Sequence, residues 1–277
     1  MFKAGAAQRD ITPLTGVSLV GYFHDRKAVD VLDPLFVKAV VMDDGETRIA
    51  FVLCDLIALE REYVQRAREE AERRCGIPAE NIMIACTHTH TGPATISALG
   101  VDKDEEYLEF LVPRIADAIV MANHRLREAK IGWELGREER ISFNRRYWMK
   151  DGTVRTNPGY NNPDVVRPAG PIDPEVGVIG AWNKQGKLIG CVVNYANHGT
   201  TGASGCVTSP MPMLMTSACG LSSLNARTRR PISGNRYPAL SFRKFSLIPI
   251  IASKSLSLRS NREPSRPCRK PDQRASL

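Results

Sequence analysis

Five histidines, His24, His88, His90, His124 and His198, are the residues of this 277-residue chain best suited to chemistry. Two of them sit in Cys86-Thr87-His88-Thr89-His90-Thr91-Gly92-Pro93, directly after the apolar residues 82–85. In extended chain, residues i and i+2 point to the same face, about 6–7 Å apart. Both imidazoles can therefore reach one cation, or one can bind while the other supports it. His198 follows a second apolar run, residues 188–195, and precedes Gly199-Thr200-Thr201. Both clusters thus fall just past the carboxyl ends of core-type strands, where open α/β sheets place ligand sites. Neutral imidazole is the commonest ligand for zinc, and a catalytic zinc takes three protein ligands and keeps one position open. The interleaved threonines suit an exposed turn equally well. His24 has no partner pattern, and His124, late in a charged helical stretch, reads as a solvated surface residue. Asp55, at a strand end, suits either the orientation of a ligand imidazole or the capping of a turn.

The elements that must position these residues read as alternating strands and helices. Residues 36–42 and 48–54 are short apolar runs rich in β-branched side chains, separated by Asp43-Asp44-Gly45, a hairpin signal. A second Asp-Gly turn, Asp151-Gly152, lies within residues 148–154. A third hairpin spans residues 176–195 and turns at Lys184-Gln185-Gly186. Residues 60–75 are rich in Glu, Arg and Ala, and Gly76 then Pro78 supply the stop expected past a helix end. Residues 81–86 form a continuous apolar run of strand length, expected to be buried on both faces. Residues 104–130 show helical spacing in Leu108, Leu111, Ile115, Ile119 and Val120, with Pro113 expected to begin the main helix or kink it. The pattern predicts an α/β or α+β fold: a mixed β-sheet with flanking helices.

The net charge of +8 is unevenly spread. Of the acidic residues, only Glu263 and Asp272 lie beyond residue 202, while 14 serines crowd the same stretch. The basic character belongs to this end and the body is mildly acidic, which removes the usual inference from a basic protein to a nucleic-acid partner. Residues 1–202 therefore read as one domain and residues 203–277 as a Ser/Arg/Pro-rich tail. That tail reads as disordered, as a nucleic-acid or membrane-surface arm, or as a segment translated out of frame. An arm lacks its aromatic interleaving or basic amphipathic helix, and the abrupt composition shift fits the third reading best. No CxxC pair occurs among the seven cysteines, which read as reduced buried thiols. The N-terminus lacks the pattern of a signal peptide, so the chain as it stands reads as cytoplasmic.

Taken in order, Gly5-Ala6-Ala7 through Asp10-Ile11-Thr12-Pro13, Gly21-Tyr22, Cys54-Asp55-Leu56, the Thr-His-Thr-His-Thr-Gly-Pro segment, Asn144-Arg145, Gly170-Pro171-Ile172-Asp173-Pro174 and Asn194-Tyr195-Ala196-Asn197-His198 resemble the neutral/alkaline (non-lysosomal) ceramidase family. The resemblance covers residues 3–201 and stops at the composition break. It implies a zinc-dependent amidohydrolase that cleaves the N-acyl bond of ceramide to sphingosine and fatty acid. His88 and His198 match the family's two histidine zinc ligands; His90 matches the motif's second histidine, near the metal; Arg145 matches an arginine lining the site. Zn2+ is the implied cofactor, and a ceramide-like lipid or another N-acyl amide the implied substrate, with peripheral contact to a membrane. Family members are often exported. The family completes its zinc site with a downstream glutamate and tyrosine and carries an immunoglobulin-like C-terminal domain. Glu263 and Tyr237, the only such residues after position 202, sit in no familiar motif. The implied catalytic domain is thus incomplete, and an inactive remnant or a zinc hydrolase for a different amide or ester stay as alternatives. If the fold is the family's, the His88 and His198 rings must lie within about 8 Å of each other, since ligand nitrogens sit about 2 Å from zinc. Reading the gene across codons 198–206 tests the tail: a one-base shift that restores family-like residues is expected, and an open frame without one contradicts it.

Overall fold

The computed structural model describes residues 1–198, 206–207 and 214–216. In chain order the strands are β1 (Lys3–Asp10), β2 (Ser18–Leu19), β3 (Arg26–Lys27), β4 (Asp30–Val31), β5 (Phe36–Asp43) and β6 (Arg48–Cys54). Helix α1 (Arg61–Cys75), strand β7 (Ile82–Cys86) and helix α2 (Glu105–His124) follow. The remaining strands are β8 (Arg127–Glu128), β9 (Lys130–Arg137), β10 (Arg146–Met149), β11 (Val154–Thr156), β12 (Val165–Pro168), β13 (Glu175–Trp182), β14 (Leu188–Tyr195), β15 (Cys206–Val207) and β16 (Leu214–Thr216).

Two sheets carry the architecture. The first runs β7-β6-β5-β1-β8, antiparallel except for the parallel β6–β7 pair. The second runs β16-β14-β13-β9 and is antiparallel throughout. The alternation of side chains along β5 decides how they stack. Val37, Ala39 and Val41 turn to one face and pack with α1 and α2, while Val40 and Met42 turn to the other and pack with Ala181 and Ile189 of the second sheet. The expected mixed sheet with helices is present, but the helices cover one face only; the second sheet covers the other.

α2 shows why the sequence pattern worked. The Asp104 side chain accepts from the Tyr107 amide at 2.9 Å, capping the first turn. Leu108, Leu111, Ile115 and Ile119 form a fully buried stripe, each contributing about 1.5–3 kcal/mol of apolar burial. Pro113 does not begin the helix. It lies within it on the exposed side, where the buried stripe on either side of it holds the turn despite one missing hydrogen bond. The helix also ends at His124, short of residue 130, because β8 pairs with the start of β1. A further departure concerns residues 82–86: β7 is an edge strand, and only Ile82 is fully buried.

All three expected hairpins form, as β5–β6, β10–β11 and β13–β14. Cys54, Cys75, Cys86 and Cys191 are free thiols. Beyond the composition break, β15 pairs in parallel with β4, and β16 pairs with β14. The rest of the tail, on which the disordered, arm and out-of-frame readings fell, lies outside the described residues.

Asp117 of α2 joins the helical layer to the sheet, receiving Arg9 of β1 at 2.8 Å and Arg74 of α1. Partial burial raises its pKa, but the hydrogen bonds from Arg74 and Arg9 outweigh that and leave it below the ordinary 3.8. A carboxylate with a depressed folded-state pKa adds stability above its unfolded pKa and loses it as pH falls through the folded value. Asp117→Ala is therefore expected to cost roughly 1 kcal/mol at pH 7, with the gap in Tm from the parent closing as the pH drops below the ordinary carboxylate range. Thermal denaturation across pH checks this, and a gap that widens in acid contradicts it.

Candidate metal centre

The loops that follow β7 and β14 bring His88, His90 and His198 together, although the strands belong to different sheets. Their ring centroids stand 4.9 Å (His88–His90), 5.1 Å (His88–His198) and 4.8 Å (His90–His198) apart, all edge-on. One ligand atom from each lies within 4.8 Å of the others. The expected convergence of His88 and His198 is met, and His90 completes a triangle. His24 and His124 are exposed and stand outside it.

His88 and His90 are held through backbone groups. The His88 amide donates to the Leu56 carbonyl at 2.9 Å, and its ring Nδ1 lies 3.0 Å from the Ile57 carbonyl oxygen. A carbonyl only accepts, so Nδ1 carries the proton and Nε2 presents a lone pair to the triad. That Nε2 lies 3.2 Å from Nε2 of His90. His88 adopts φ +60°, a left-handed backbone that costs a residue with a side chain about 1 kcal/mol or more. The His90 carbonyl accepts from Arg26 at 2.6 Å. The Arg26 guanidinium is buried and stacks 4.0 Å above the Tyr22 ring, which stands edge-on to His90 at 6.1 Å. Arg26 carries no sequence pattern, since it sits in a two-residue strand, and sequence reasoning missed it.

At His90 the electrostatics favour the neutral ring. Burial lowers the pKa of His90 from its ordinary 6.5, the charges of His88, His198 and Arg145 lower it further, and a hydrogen bond with the Gly21 backbone opposes them. The Arg145 side chain is exposed and makes no hydrogen bond to the triad among the described residues. Asp55 does not touch a ligand ring. It is fully buried, paired with Lys38 at 2.6 Å, and accepts from the Phe36 amide at 3.0 Å. Burial, with the charge of Asp55, pushes the Cys86 thiol up to about 12, so the free thiol stays protonated at neutral pH. Three imidazoles facing one another across ligand distance fit a divalent metal cation.

Residues 2–204 match the family described as neutral/alkaline non-lysosomal ceramidase, N-terminal. The neutral ceramidase of Pseudomonas aeruginosa is 24% identical over 214 residues, covering 72% of this chain and 30% of that protein. A crystal structure of neutral ceramidase from Pseudomonas aeruginosa superposes with a TM-score of 0.61 at 22% identity, over 75% of this chain and 34% of that one. A structure described as ceramidase complexed with C2 gives the same TM-score and identity over 75% and 33%. The structural likeness shows the fold. The chain spans about a third of the length of these relatives.

Gly21 has φ +121°, and a Cβ there would lie 2.7 Å from the His90 Cβ and 2.8 Å from its Cα. Gly21→Ala is therefore expected to displace His90 and to destabilise the fold by about 1–3 kcal/mol. Thermal denaturation together with the His90 ring resonances checks this; an unmoved His90 at parental stability contradicts it.

Proposed function

The chain belongs to the neutral/alkaline non-lysosomal ceramidase family, and from that premise we propose that it is a zinc-dependent amidohydrolase for the N-acyl bond of ceramide or a ceramide-like lipid. The observation that carries the reading is the convergence of His88, His90 and His198, with ligand atoms within 4.8 Å of one another. His88 and His198 hold the cation in this proposal. When bound, it supplies a Lewis acid that polarises an amide carbonyl and makes attacking water more acidic. An amide is a poor electrophile, so that help is needed.

The chain's own residues do the rest. His88, with its Nδ1 proton committed to the Ile57 carbonyl, keeps its Nε2 lone pair turned inward. His90 is the proton carrier: its Nε2 takes a proton from the attacking water and returns it to the departing amine nitrogen, a role suited to an imidazole that burial keeps neutral. Arg145 adds positive potential beside the tetrahedral oxyanion.

One observation favours the rival reading, an inactive remnant. Among the described residues no carboxylate joins the three imidazoles.

Zinc titration of the full chain separates the two, with tight one-to-one binding expected for the enzyme and little for the remnant. His88→Ala and His198→Ala should each weaken binding by more than the roughly 10–100-fold typical of a residue that only supports a ligand. Parental affinity in either variant contradicts the ligand assignment. Hydrolysis of a ceramide and of short N-acyl amides, run side by side, then tests the substrate: preference for the ceramide is expected, and preference for the short amides moves the chain to another substrate class.

A further inference from the structure

We infer that Asp55, buried with Lys38 beneath the HxH loop, is the positioning residue that holds His88 in its metal-binding pose. The inference rests on the metal site proposed at His88. At the end of β6 the ladder to β5 stops in an unusual way. The Asp55 amide donates to the Phe36 carbonyl at 3.0 Å, but the Phe36 amide donates to the Asp55 carboxylate at 3.0 Å. In a continuing antiparallel pair the Asp55 carbonyl would take that bond. With the carboxylate standing in, the backbone is released to turn: the Leu56 amide folds back onto the Cys54 carbonyl at 2.8 Å. The two carbonyls presented by that turn, Leu56 and Ile57, are the ones that hold the His88 amide and the His88 ring, at 2.9 and 3.0 Å. Thr87, next to His88, is tied to the same strand end through the Cys54 carbonyl at 3.0 Å.

The arrangement is poorly built for stability alone. Among the described residues Asp55 Oδ1 and Thr87 Oγ1 are both buried without a hydrogen-bond partner, and His88 sits at φ +60°. Unsatisfied buried polar atoms and left-handed backbone both oppose folding. A buried ion pair is commonly replaceable by apolar side chains of similar volume without loss of stability. What apolar side chains cannot supply here is the acceptor for the Phe36 amide, and with it the turn that carries the His88 anchors.

Two paired variants of the full chain separate the acceptor from the charge. Lys38→Met with Asp55→Asn removes both charges and keeps an oxygen for the Phe36 amide; Lys38→Met with Asp55→Leu removes the acceptor too. Amide hydrogen exchange of the zinc-free protein, read at His88 and normalised to Val52 in the sheet core, is expected to stay within about threefold of the parent for the Asn pair. For the Leu pair it is expected to accelerate about tenfold or more, and zinc affinity to weaken about tenfold or more. Lys38→Met with Asp55→Ala serves for the same readouts if the Leu pair does not fold. Parental protection at His88 without the acceptor overturns the inference, as does unchanged zinc affinity in that variant. If the parent itself binds no zinc, the metalloenzyme reading fails, while the exchange data still decide whether Asp55 anchors His88.

Discussion

The apolar seam between the two sheets is the constraint on which the rest of this molecule depends. Ala4 and Ala6 of β1, Val40 and Met42 of β5, and Ile49 and Leu53 of β6 meet Ala181 and Ile189 of the second sheet. Face-to-face packing of this kind fixes where strand ends lie relative to one another. It brings the loop after β7 and the loop after β14 to the same rim. Without it His88 and His198 would belong to separate objects. The other face of the first sheet is equally close to its neighbour: a Cβ at Gly5 would lie 2.1 Å from the Ala122 carbonyl oxygen of α2. The small residues of β1 allow both layers to approach one strand at once.

On this frame two of the three histidines are positioned by groups outside the triad. His88 is fixed by two carbonyls and a left-handed backbone, and His90 by the buried Arg26 guanidinium and a glycine that leaves room for it. Such placements resist collapse while no cation bridges the rings. The Nε2 atoms of His88 and His90 already face each other 3.2 Å apart, so in the proposed reading a metal held by His88 has the proton carrier beside it with little reorganisation.

Much of this was legible in the residues. The hairpins, both helices and the histidine loops follow local rules of turn chemistry, capping and periodicity, which operate within a few residues. The errors arose where long-range packing decides. Residues 81–86 read as doubly buried because an apolar run carries no mark of an edge, and the sheet order alone makes β7 one among the described residues. Pro113 read as the start of the main helix or a kink in it because its local cost is high; the first alternative fails because the buried stripe continues on both sides of it. The second sheet's cover over the first was invisible, since alternation along β5 shows two apolar faces without saying what meets each. The same holds for the site: the HxH spacing was plain, but Arg26 and the Leu56 and Ile57 carbonyls act through contacts that no spacing encodes.

The most direct test of the central claim is X-ray absorption at the zinc edge of the full chain loaded with one equivalent of Zn2+. The account predicts nitrogen scatterers at about 2.0–2.1 Å with the outer-shell pattern of imidazole, losing imidazole scattering in His198→Ala. A sulfur scatterer at about 2.3 Å, or a spectrum unchanged by that substitution, would contradict it.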